Sequence, residues 1–161
     1  MANSSLEKQI ADYVIQQKEN HYRLAYSYVR NVDDALDIIQ ESIYKAILSM
    51  NSLKSPDYIK TWFYRIIVNT SLDFLRKQKK VIIVDEEALA DYDSGSVDIY
   101  QDVDLQRALE DLPDNYRSII VLRFFEDLKI EEIAEILDEN INTVKTRLYK
   151  SLEMLRIKMK D

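Results

Sequence analysis

The sequence predicts an all-α protein built from two small helical domains joined by a flexible acidic linker. Three observations lead there. The chain has one Gly and two Pro in 161 residues, which leaves little material for the turns of a β-protein. Apolar residues recur at three- and four-residue steps through most of its length, the period of a helix with one buried face. Charge is laid down in blocks, with two basic segments flanking an acidic one.

The N-terminal part reads as helices over roughly Ser4 to Val29, then Val32 to Met50 behind an Asn31 or Asp33 cap, then Asp57 to Gln78 after Pro56. The stretch "VDEEALADYDSGSVDIYQDVD" follows, with the only Gly, poor periodicity and eight acidic residues between Val81 and Asp104 without a Lys or Arg. Such a composition reads as a linker. Beyond it come a short helix near Leu105 to Asp111, a second from Pro113 to Phe125, and the pair Ile130 to Leu137 and Asn142 to Lys158. That last pair is a helix-turn-helix candidate, with "DEN" as the tight turn.

Composition excludes several kinds of chemistry. There is no Cys and a single His, so disulfides, thiolate zinc sites and Cys or His nucleophile systems are ruled out or disfavoured. No Gly-rich phosphate loop and no Ser with a plausible His partner appear. His21 reads as structural, and Glu131 and Glu132 sit early in a helix where its dipole already favours acids. No enzyme, cofactor or metal site is expected. The N-terminus "MANSSLEKQIADYVIQQ" lacks the basic and apolar stretches of a signal peptide, and no segment reaches the ~20 apolar residues that span a bilayer. A cytoplasmic location is expected.

The net charge of −7 argues against nucleic acid only if it is spread evenly, and it is not. From Lys60 to Lys80 six cations face Asp73 alone, and from Thr143 to Lys160 six face Glu153 alone. On a helical wheel Val144, Leu148, Leu152 and Leu155 make the buried stripe of the last helix. The opposite face carries Asn142, Thr143, Thr146, Tyr149 and Lys150, with Lys145 and Arg147 at its margins, donors suited to base edges and phosphates. Ile130, Ile133, Ala134 and Leu137 form the core stripe of the helix before it. An ordinary amphipathic hairpin with a solvated basic face accounts for the same periodicity equally well.

In "TWFYRIIVNTSLDFLRKQKK", Phe63, Tyr64, Ile67, Val68, Ser71, Phe74 and Leu75 share one side. Trp62, Arg65, Asn69, Asp73, Arg76 and Lys80 share the other, a ridge about 27 Å long at 1.5 Å per residue. Rings that stack on bases, an amide for a base edge and cations for phosphates are what single-strand recognition needs. A core Trp, an Asp73 pair with Arg76 or Lys77 and a solvated basic helix end explain the residues as well. Along "DDALDIIQESIYKAILSM" the expected buried stripe is Ala35, Ile39, Ile43, Ala46, Ile47 and Met50, with Leu36 beside it. Asp34, Asp37, Gln40, Glu41, Tyr44, Lys45 and Leu48 point outward, either a plain solvated face or one that docks a basic protein surface.

Taken in order, "DALDIIQESIYKAI", "WFYRIIVNTSLDFLRKQKK", "LEDLPDNYRSIIVLRFFEDLKIEEIAEIL" and "NTVKTRLYKSLEMLR" resemble the bacterial extracytoplasmic-function (ECF) sigma factors across nearly the whole chain. The specificity lies in the ordered combination, since fragments like "EEIAEIL" occur in many regulators. The resemblance implies a sigma region two domain at 1–80, a flexible acidic linker at 81–103 and a sigma region four helix-turn-helix domain at 104–161. It implies an alternative sigma factor that directs core RNA polymerase to the promoters of a stress or envelope regulon.

The resemblance also assigns residues. Asp34, Asp37, Gln40, Glu41 and Lys45 would dock on the clamp helices of the polymerase's largest subunit. Leu53, Lys54, Tyr58, Trp62, Arg65, Asn69, Arg76, Lys77 and Lys80 would meet the single-stranded minus-ten element, with Asn69 at the family position that touches a flipped base. Asn142, Thr143, Lys145, Thr146, Arg147, Tyr149 and Lys150 would enter the major groove of the duplex minus-thirty-five element. An anti-sigma factor, often membrane-bound in this family, is implied as a partner, with the free chain a monomer and no small-molecule substrate. Three departures stand out: Asn142 where the family commonly has Gly, Ser151-Leu152 for an Ala-Arg pair, and "DLKIEEIA" for "GLSYEEIA". Asn142 tolerates positive φ and can cap a helix, and the missing Arg is expected to weaken a phosphate contact that the resemblance implies. The competing readings are a stand-alone helix-turn-helix regulator with a helical dimerisation domain, and a helical adaptor for acidic partners.

Overall fold

The computed structural model describes residues 2–84 and 100–160, and among them every regular element is helical. The acidic segment 85–99, the centre of the expected linker, lies outside the described residues. Its expected ends at 81–84 and 100–103 are helical.

What the periodicity suggests as one opening helix is two. α1 (Ala2–Gln16) and α2 (Lys18–Val29) are separated at Gln17, whose φ of −104° and ψ of 15° leave the helical region. The Gln17 side chain accepts a hydrogen bond from Asn20 Nδ2 at 2.7 Å there, and its backbone still bonds Tyr13 and His21 across the break. α2 ends at Arg30, in the left-handed region at φ 56°.

α3 (Val32–Leu48) is capped by Asn31, whose side chain accepts from the Asp34 N–H at 2.9 Å, with Asp33 and Asp34 in its positive first turn. Two 3₁₀ turns, Met50–Ser52 and Pro56–Tyr58, lead into α4 (Ile59–Val84). Pro56 opens the second turn where its missing N–H costs nothing. α5 (Tyr100–Asp111), α6 (Asp114–Ile120), a π turn at Val121–Phe125, α7 (Ile130–Leu137) and α8 (Ile141–Lys160) complete the described chain.

One continuous apolar cluster joins Leu24, Tyr28, Phe63, Tyr64 and Ile67 to Leu109, Ile119, Leu122, Ile133, Val144 and Leu148. Each large side chain buried in it contributes roughly 1.5–3 kcal/mol of transfer free energy, so the two halves share a core. A smaller cluster of Ile10, Leu53 and Ile59, with Trp62 packed against it, ties α1 to the turn region before α4. That cluster fixes the loop from which the candidate site is built.

Three helices differ from the expected stripes. On α3, Ile38 is buried and Ile47 is exposed, as is Leu36. On α8, Leu152 is 37% exposed and Ser151 fully buried. On α7, Ile136 is buried although it lies outside the stripe of Ile130, Ile133, Ala134 and Leu137, because a second side of that helix packs against α4.

Candidate nucleic-acid interface

The turn region and the first two turns of α4 enclose a pocket of about 440 Å³ lined by Ser52, Leu53, Lys54, Tyr58, Thr61, Trp62 and Arg65. Its floor is apolar, with Leu53 buried in the α1 cluster. Trp62 is half-buried and donates through Nε1 to Ser52 Oγ at 3.1 Å, which orients the indole along the wall. An aromatic wall, a hydroxyl and a cation around a cavity of this size suit an unstacked base.

Further along α4, Asn69, Arg76, Lys77 and Lys80 are exposed and continue from the pocket. Arg76 pairs with Asp73 at 3.0 Å. Both partners are more than half exposed, so the pair is worth little and leaves the cation available. The ridge expected from the sequence is present, but its first members are already engaged. Arg65 donates through Nε to the Ile136 carbonyl at 3.2 Å and through Nη2 to the Glu135 carbonyl. Tyr58 donates to the Glu135 carboxylate at 2.9 Å, and that hydrogen bond holds the phenol above its ordinary pKa.

The second basic surface is on α8. Asn142, Lys145, Thr146, Tyr149 and Lys150 are exposed, Tyr149 to 71%, while Thr143 and Arg147 are half-buried. A groove of about 350 Å³ runs between Tyr116 and the Asn142, Thr143, Thr146, Arg147 and Lys150 side chains. Arg147 is oriented by Glu139 at 3.0 Å. The α7–α8 turn is made by Asp138, left-handed at φ 56°, whose N–H reaches back to Glu135.

The structure revises the account of Asn142. It lies within the first turn of α8 and is not among the described residues with positive φ, which are Arg30, Asp127 and Asp138. Asn140 supplies the cap, its Oδ1 accepting the Asn142 N–H at 2.8 Å. The left-handed position is Asp127, φ 54°, in "DLKIEEIA" where the resembled pattern has Gly. Ser151 fits its buried position because its hydroxyl donates to the Arg147 carbonyl at 2.6 Å.

On α3, Asp37, Gln40 and Glu41 are exposed and Asp34 is half-buried, its carboxyl raised first by burial and then by Asp37 and Asp33. Lys45 is half-buried and donates to Thr70 Oγ1 at 3.1 Å, so it braces α3 on α4. Leu36, Tyr44, Ile47 and Leu48 stand exposed on the same helix, from 47% to 67%. Ile47 was expected inside and Leu36 beside the buried stripe; with both exposed, the acidic face is partly apolar.

His21 is enclosed by the rings of Tyr13, Phe63 and Tyr64, at 4.9–5.4 Å between centroids. Burial lowers its pKa to about 4, so it is neutral at physiological pH. Among the described residues no group of acids and histidines could hold a metal, and no helix is long and apolar enough to cross a membrane.

The Sigma-70 region 2 family model matches residues 18–81, and the Sigma-70, region 4 model matches residues 102–155. RNA polymerase sigma factor SigV of Bacillus subtilis is 57% identical over 142 residues, covering 88% of this chain and 86% of that protein. ECF RNA polymerase sigma factor SigW of the same organism is 33% identical, covering 94% and 89%. The fold resembles that of the sigma factor RpoE from Bartonella quintana, solved with the anti-sigma factor NepR, at a TM-score of 0.74 and 21% identity over 95% of this chain and 98% of that one. The two sigma regions occupy the two halves in which α4 and α8 present their basic faces, and the chain belongs to the ECF family of RNA polymerase sigma factors.

Proposed function

We propose that the chain is an alternative sigma factor that binds core RNA polymerase, recognises minus-thirty-five and minus-ten promoter elements, and initiates transcription of a stress or envelope regulon in the cytoplasm. The observation that carries this reading is the ordered presence of both sigma regions in one chain, each with an exposed polar and basic face. It works by binding, and RNA synthesis stays with the polymerase.

Under this reading residues 1–80 and 104–161 are two binding units joined by 81–103. Asp34, Asp37, Gln40 and Glu41, with the neighbouring Leu48 and Tyr44, meet the clamp helices of the largest polymerase subunit, and Lys45 braces that surface. Leu53, Lys54, Tyr58, Trp62 and Arg65 form the pocket for a base that has left the stack; Asn69 reads its edge. Arg76, Lys77 and Lys80 follow the phosphates. Opening a duplex costs stacking, and capture of unstacked bases offsets that cost without ATP. Asn142, Thr143, Lys145, Thr146, Arg147, Tyr149 and Lys150 read the duplex element in the major groove.

An anti-sigma factor that covers these faces, anchored at the membrane, is the expected inhibitor. A stand-alone regulator is not favoured, since it has no use for a region two face suited to unpaired bases. The test is transcription from a promoter library by purified core polymerase with and without the protein. Selective initiation that requires the protein supports the reading; duplex binding with no polymerase dependence would replace it with the regulator.

A further inference from the structure

One end of the face that α4 offers to an unpaired strand, at Arg65 and the adjoining Tyr58, is engaged from within the chain, while Asn69, Arg76, Lys77 and Lys80 stay exposed. Arg65 caps the C-terminal end of α7 through the carbonyls of Glu135 and Ile136. These belong to the last four carbonyls of a helix, which have no partner inside it and carry the negative end of its dipole. Tyr58 is bonded to the Glu135 carboxylate, and Lys60 Nζ sits 3.0 Å from the Glu132 carboxylate. α7 therefore sets the Glu135 carboxylate and two carbonyl oxygens against Tyr58 and Arg65 at the rim of the pocket, with the Glu132 carboxylate on Lys60 beside it, the same acceptor chemistry that the phosphates and base edges of a strand would bring.

The contact is deeper than its exposed ion pairs, which by themselves hold little. Behind it Ile136 is buried. The Tyr28 hydroxyl bonds Ser118 at 2.8 Å, and the buried Glu126 carboxylate accepts from Tyr64 at 3.1 Å and from Arg23 at 3.4 Å. Each of these contacts pairs the first half of the chain with the second. The apolar cluster supplies the adhesion, and the polar contacts of α7 set which face is covered.

We propose that α7 is a built-in competitor for the strand-binding face of α4, so that the free chain is closed to minus-ten DNA and must separate at α4–α7 when polymerase engages it. The proposal rests on the reading of that face as the minus-ten site. It assigns Glu132, Glu135 and the α7 C-terminus a second role beside the helix-turn-helix: they occupy the place of the strand until the two halves part.

The chain has no Cys, so Lys60→Cys with Glu132→Cys introduces a single pair across the contact, joinable by a short reducible bis-maleimide. The free double variant is expected to cross-link within the chain almost completely, and prior binding of core polymerase to lower that yield at least fivefold. The locked chain is expected to lose promoter-dependent transcription by more than tenfold, and reduction to restore it. Failure of the free chain to cross-link would overturn the proposal, as would a locked chain that transcribes as well as its reduced form. If the wild-type chain itself supports no transcription with core polymerase, the minus-ten reading falls and takes this proposal with it.

Discussion

The Tyr64 hydroxyl donates to the Glu126 carboxylate at 3.1 Å, sixty-two residues along the chain, inside the core that both halves share. Burial raises the pKa of Glu126, while Tyr64 and the half-exposed Arg23 pull it back down. The carboxylate is thus retained by few partners. Tyr64→Phe leaves a buried acceptor short of one donor and is expected to cost about 1–3 kcal/mol at neutral pH, measured by urea unfolding. The loss should shrink as the pH falls through the raised pKa of Glu126, because the protonated acid no longer needs that donor. An equal loss at all pH values would mean that Glu126 is not charged in the folded chain.

His21 works in the opposite sense. Its pKa falls from 6.5 to about 4 because the rings around it exclude water, so below 6.5 the unfolded chain binds a proton that the folded chain refuses. Stability from this residue is complete above pH 6.5 and declines as the pH falls towards 4, by about 3 kcal/mol at the lower end. His21→Leu should flatten that part of the stability profile relative to wild type. The difference between the two profiles isolates His21 from Glu126, whose own titration on acidification is stabilising.

Leu48 is 67% exposed on the acidic face of α3. Leu48→Glu is expected to leave folding stability within about 0.5 kcal/mol and to weaken core polymerase binding roughly thirtyfold, the effect of losing about 2 kcal/mol at the centre of an interface. Fluorescence titration of labelled protein with core polymerase reads the second effect and thermal unfolding the first. Unchanged affinity would remove α3 from the docking surface.

Lys150 and Tyr149 should separate by kind of contact. Lys150→Ala is expected to weaken duplex binding about equally across sequences and to lower the dependence of log affinity on log salt by about one. Tyr149→Ala should instead alter which minus-thirty-five sequences are preferred. Binding to a randomised duplex pool at two salt concentrations distinguishes them.

Much of this was legible in the residues. The exposed polar side of α8 lies where the periodicity puts it because Val144, Leu148 and Leu155 anchor the opposite side. α4 followed the same logic through Phe63, Tyr64, Ile67 and Val68. α3 was misread because its Ile and Leu residues nearly encircle the helix, and a wheel cannot choose between Ile38 and Ile47 without knowing where α2 and α4 lie. The break at Gln17 left no Pro or Gly to mark it.

The contacts of Arg65 were beyond any reading of residue types. Its acceptors are backbone carbonyls seventy and seventy-one positions away, and a carbonyl leaves no trace in the sequence. The family resemblance points to the faces proposed to bind DNA. The cover that α7 places over one of them comes from the packing of the two halves.

The most direct test of the sigma-factor reading is permanganate footprinting of unpaired thymines on a promoter selected from the library, with core polymerase plus wild-type, Asn69→Ala or Lys150→Ala protein. The expected result is strand opening with the wild type, lost with Asn69→Ala although polymerase still docks, and reduced with Lys150→Ala through weaker duplex binding. Opening that is the same without the protein, or unaffected by either substitution, would contradict the account.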